Sequence, residues 1–69
     1  MDRQPVSSSN IASIGYDSLS QTLEIEFKHG GLYQYYDVPQ HEYGGLMNAS
    51  SHGRYLVTQI KGRYRYSRI

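Results

Sequence analysis

Between Thr22 and Phe27 the chain alternates without a break: Leu23, Ile25 and Phe27 fall on one side, Glu24 and Glu26 on the other. A period of two marks a strand with one buried and one wet face. Lys28-His29-Gly30-Gly31 then reads as a turn and Leu32–Tyr36 as a second strand, so the two form a hairpin. Its register decides where Tyr33 and Tyr35 point. A loop of two or four residues pairs Phe27 with Leu32 and sets both tyrosines beside the glutamates. A loop of three, with Gly30 in the left-handed position of a bulge, sets Tyr33 opposite Ile25 and Tyr35 opposite Leu23. The second register is favoured because it makes one face continuously apolar. It predicts a core role for Tyr33 and Tyr35, with Gln34 and Tyr36 joining the glutamates outside.

Upstream, Ala12, Ile14 and Tyr16 alternate within Ile11–Asp17, which reads as a first strand ending in the turn Asp17–Gln21. Residues 1–9, with Pro5 and three serines, read as a mobile tail. Downstream, Pro39 suits the first turn of a helix that uses Tyr43, Leu46, Met47 and Ser50 as its stripe. Gly44-Gly45 weakens that helix by roughly 1 kcal/mol per glycine, a cost explained by close approach to the sheet. Ser50 or Ser51 caps a second helix, with Leu56 and Ile60 inward and Arg54 and Lys61 outward, and Gly62 ends it. The expected fold is α+β: a three-stranded antiparallel meander followed by two helices (β-β-β-α-α), one domain over residues 10–69.

Sixty-nine residues bury a thin core, and the chain has no cysteine. Disulfides, thiolate metal sites and cysteine nucleophiles are therefore excluded. No apolar run is long enough to span a membrane, and the N-terminus lacks an apolar signal segment, so a cytoplasmic location is expected. Asn48-Ala49-Ser50 then reads as a chance sequon.

Charge is polarised along the chain. Residues 1–42 hold all six acids against Arg3 and Lys28, whereas residues 43–69 hold Arg54, Lys61, Arg63, Arg65 and Arg68 and no acid. In Arg63-Tyr64-Arg65-Tyr66-Ser67-Arg68, bases to meet phosphates interleave with tyrosines to stack on nucleobases. The candidate nucleic-acid-binding residues are Arg54, Lys61, Arg63, Tyr64, Arg65, Tyr66 and Arg68.

Several segments together resemble the KTSC domain family, a small bacterial domain seen alone and at the C-terminus of some lysyl-tRNA synthetases. They are Ser9-Asn10-Ile11 with Gly15-Tyr16-Asp17, Thr22-Leu23 with Phe27, Tyr33-Gln34-Tyr35 with Val38-Pro39, and Ser51-His52-Gly53-Arg54-Tyr55 with Ile60-Lys61 and Tyr64. Tyr33 and Tyr35 match the family's Tyr-x-Tyr element; where the family favours asparagine, this chain has Val57. The resemblance implies the fold and, through the synthetase context, suggests RNA binding; it implies no activity.

Catalytic readings are weaker. Asp17 followed by Glu26-Phe27-Lys28 mimics the carboxylates and lysine of metal-dependent nucleases, but an exposed strand edge shows the same residues. His29, His41 and His52 lack metal-ligand spacing. Ser50, Ser51, His52 and Asp37 lack a nucleophile elbow. The expected function is a small non-catalytic binding module without metal, cofactor or small-molecule substrate. RNA is its leading partner. A protein held on the sheet face or edge is the alternative.

Overall fold

The computed structural model describes residues 1–69. Five strands form one antiparallel sheet in sequential order: β1 (Arg3–Pro5), β2 (Ile11–Asp17), β3 (Thr22–Phe27), β4 (Gly31–Tyr35) and β5 (Tyr66–Arg68). Between β4 and β5 come α1 (Gln40–Asn48) and α2 (His52–Tyr55), which continues into a wide π turn, Leu56–Ile60. No helix is long and apolar enough to cross a membrane. The α+β class and the central meander are as expected, but the sheet has five strands rather than three.

The central hairpin adopts the favoured register. Ile25 pairs with Tyr33 and Leu23 with Tyr35, across a three-residue loop. The left-handed residue is Gly31 (φ 88°), not Gly30. A β-carbon at Gly31 would also lie 2.8 Å from the Arg68 guanidinium, so a side chain there meets both strain and β5. In β2 the alternation breaks at a bulge between Ile11 and Ser13. Ile11 therefore takes the buried position expected for Ala12.

The core lies between the inner face of the sheet and the helices. It comprises Ile11, Ile14, Leu23, Ile25, Tyr35, Val38, Leu46, Leu56 and Ile60. Tyr35 is buried, as expected, while Tyr33 is only partly covered. Tyr16 ties the sheet to α1: its hydroxyl donates to the Val38 carbonyl (2.5 Å) and its ring stacks on Tyr43 at 4.7 Å.

The helices depart from the expected stripes. Pro39 precedes α1 as its cap, and α1 ends at Asn48, leaving Ser50 outside. Its buried residues are Glu42 and Leu46, four apart, with Tyr43 and Met47 at the margin. Gly45 permits close approach not to the sheet but to Tyr55, whose hydroxyl occupies the space a β-carbon would need; Gly44 faces open space. Ser51 caps α2 by accepting from the Arg54 amide (3.2 Å). The Thr58 hydroxyl then takes the Arg54 carbonyl (2.8 Å), and the following turn widens so that the Lys61 amide bonds the Leu56 carbonyl (2.7 Å). Gly62, at φ 87°, closes the helix.

The N-terminal segment is not a free tail, since β1 pairs with β2. Arg3 holds it: its guanidinium donates to Glu24 (2.5 Å) and to the Ser13 hydroxyl (3.0 Å). Ser13 donates on to Glu26 (2.7 Å), and Gln34 donates to Glu24 (2.9 Å). Glu24, expected to be exposed, is thereby buried on the outer face. The Gln34 bond lowers its pKa; burial opposes this, and Arg3 adds to the lowering. Arg3→Ala removes a charge-assisted bond from a buried carboxylate and should cost about 1.5 kcal/mol. Hydrogen exchange should then show β1 and Gly15 losing protection before the core. Unchanged protection would mean that backbone pairing alone holds the strand.

Candidate nucleic-acid interface

The acids of the N-terminal half are largely spoken for. Glu24 is paired with Arg3, and Asp37 with Arg65 (2.8 Å). Glu42, from the first turn of α1, is buried and accepts from two tyrosine hydroxyls, Tyr55 at 2.5 Å and Tyr64 at 2.8 Å. Burial pushes the Glu42 carboxyl up, but the two hydroxyls, aided by the charges of Arg63 and His41, outweigh it, and its pKa is lowered. The same contacts raise both tyrosines: Tyr55 chiefly through its bond to Glu42, Tyr64 chiefly through burial and then that bond. Sequence spacing gave no signal for this cluster, whose members lie on three separate segments.

Arg54, Lys61, Arg63 and Arg68 have no acid partner within salt-bridge distance. Arg54, Lys61 and Arg63 line three depressions that share residues, and Arg68 lies over a ring in the wall of one of them. The first is an aromatic cleft of about 290 Å³ between the sheet and the π turn, lined by Phe27, Tyr33, Tyr35, Val57, Lys61 and Tyr66. Tyr66 belongs to β5, opposite Tyr35, and is 59% exposed. Its ring lies 5.9 Å from that of Tyr33, which Phe27 supports edge-on at 5.6 Å. The Arg68 guanidinium sits over the Tyr33 ring at 5.9 Å.

The second depression meets the first at Tyr66 and is lined by Tyr36, Gly62, Arg63, Tyr64 and Arg65. Here Arg65 lies over the Tyr36 ring at 5.8 Å while holding Asp37. The third is a polar groove lined by Ser7–Asn10 and by residues from Ser50 to Thr58, Arg54 among them; Asn10 and Val57 join it to the aromatic cleft.

The seven candidate residues thus fall along one track rather than at one point. Lys61, Tyr66 and Arg68 gather at the cleft, Arg63, Tyr64 and Arg65 beyond it, and Arg54 in the groove. The Tyr64 hydroxyl is committed to Glu42. Tyr33, expected in the core, forms part of the cleft wall.

No nuclease-like centre is assembled. Asp17 is opposite Thr22 and Glu26 opposite Ser13, four residues further along β2, about 13 Å away. No three His, Cys, Asp or Glu side chains are grouped to hold a metal ion. His52 is committed at Nδ1, 2.9 Å from the Leu46 carbonyl.

The KTSC domain model matches residues 7–64. The chain is 47% identical to a KTSC domain protein of Yersinia pestis whose crystal structure superposes with a TM-score of 0.97, covering 99% of this chain and 96% of that one. It is 43% identical to an uncharacterised protein of Stutzerimonas stutzeri over 100% of this chain and 99% of that one. It is also 41% identical to a segment of the lysine–tRNA ligase of Trichormus variabilis, covering 78% of this chain and 10% of the ligase.

Proposed function

The chain belongs to the KTSC domain family, and we propose that this member is a non-catalytic module that binds single-stranded RNA along the track centred on Tyr66. One observation carries the reading: a tyrosine 59% exposed, its ring tilted against Tyr33 in a cleft lined by Lys61, with Arg68 over the Tyr33 ring and neither cation having an acid partner. Bases stack on such rings whatever their sequence, and the cations meet the backbone. A second support is the likeness to lysine–tRNA ligases, enzymes whose name places them at RNA.

Titration with single-stranded RNA, followed by backbone amide NMR, tests the proposal. Shifts are expected at Tyr33 and across residues 54–68, weakening from low to moderate salt. No shift at RNA on the order of tens of micromolar in low salt would sink it.

Protein binding is the alternative, and the free edge of β5 favours it over the sheet face. All three β5 residues and the following Ile69 are exposed, whereas the outer face carries the Arg3–Glu24 strip. An extended peptide would add there as a sixth strand.

A further inference from the structure

The largest concavity in the molecule is the polar groove, about 840 Å³, against about 290 Å³ for the aromatic cleft. Val57 is its one apolar lining residue, Arg54 supplies a cation without an acid partner, and no carboxylate faces it. Hydroxyls, an amide and an arginine with no competing acid form a surface suited to an anion.

Its walls are held in place. The Ser8 hydroxyl accepts from the Asn10 and Ile11 amides (3.4 and 3.2 Å) and donates to the Asn10 Oδ1 (3.1 Å). Asn10 in turn sits against Gly53, where a β-carbon would lie 2.6 Å from its Oδ1. The serine loop is thus seated directly on α2, with Arg54 the next residue.

We propose that this groove is a phosphate site, taking the phosphate ester of the nucleotide whose base lies in the aromatic cleft. The assignment rests on the reading of the cleft as a base-stacking site. Asn10 and Val57 line both depressions, so they adjoin in the way that base and phosphate adjoin across one sugar.

The test uses the full chain and three probes: uridine, uridine 5′-monophosphate and inorganic phosphate, each followed by amide NMR. Uridine should move Gly30, Tyr33 and Tyr66, and phosphate should move Ser8, Ser9, Gly53 and Arg54. The monophosphate should move both sets and bind more tightly than uridine. Arg54→Gln should weaken the monophosphate about tenfold and leave uridine unchanged. Lys28→Gln, an equal loss of charge at a residue lining neither depression, should leave the monophosphate unchanged.

Silent groove amides with responding cleft amides would overturn the phosphate site and spare the RNA reading. Groove shifts with phosphate, while neither RNA nor uridine moves the cleft, would overturn the RNA reading and the nucleotide assignment together. Equal weakening by Arg54→Gln and Lys28→Gln would reduce the groove to general charge attraction and overturn the proposal.

Discussion

Glu42→Ala should destabilise the domain by about 3 kcal/mol, since hydrogen bonds to a charged group contribute about 1.5–3 kcal/mol each. The carboxylate accepts from Tyr55 and Tyr64, and its loss leaves both partly buried hydroxyls without that partner. For a domain this small the loss is a large share of the total and should lower Tm by roughly 15 °C. Glu42→Gln keeps the shape and one acceptor, so its effect should be about half as large.

The pH dependence identifies the mechanism. Glu42 has a lowered folded pKa, so its stabilisation is present above the unfolded value of about 4.3 and disappears as pH falls through the folded value. Tyr55 and Tyr64 are raised, so their contribution is full below about 10 and is lost as pH rises through their folded values. Urea melts from acid to alkaline pH should therefore show wild type and Glu42→Ala furthest apart near neutrality and converging at both extremes. A gap of the same size in acid would mean that the glutamate matters only as packing volume.

Glu42 also shows where sequence reading stops. An acid in the first turn of a helix is already accounted for by the helix dipole, and nothing nearby in sequence names its partners. Tyr55 and Tyr64 reach it only because α2 folds back on α1 and the segment after Gly62 returns toward the sheet. The meander was legible because strand alternation is local and turn geometry fixes register, which placed Tyr33 opposite Ile25 and Tyr35 opposite Leu23. The edge strands were less legible: the N-terminal one reads as a tail, and the C-terminal segment as either an extended arm or a short added strand. Each is three residues long, and what holds them is distant: Arg3 on Glu24 for β1, Tyr66 and Arg68 against the Tyr-x-Tyr strand for β5. Charge polarity did single out the C-terminal segment. It could not show that Tyr64 is drawn inward while Tyr66 remains in the open.

That difference makes Tyr66 the sharper test of RNA binding. Tyr66→Ala removes an exposed ring on an edge strand, so the fold should survive, while loss of one stacking contact of about 1–3 kcal/mol should weaken single-stranded RNA about tenfold or more. Tyr66→Phe keeps the ring and should bind nearly as wild type. Stacking and charge can be separated on a plot of log affinity against log salt. Tyr66→Ala should shift the line downward without changing its slope, because no counterion is released by a ring. Lys61→Gln should flatten the line by about 0.7 if the ammonium meets one phosphate of a single strand. The two changes act through different terms, so the double variant should show both the shift and the flatter slope. Equal affinity of Tyr66→Ala and wild type at every salt concentration would remove the aromatic cleft from the interface. Whatever binding remained would then belong to the basic side chains, Lys61 and the arginines, alone.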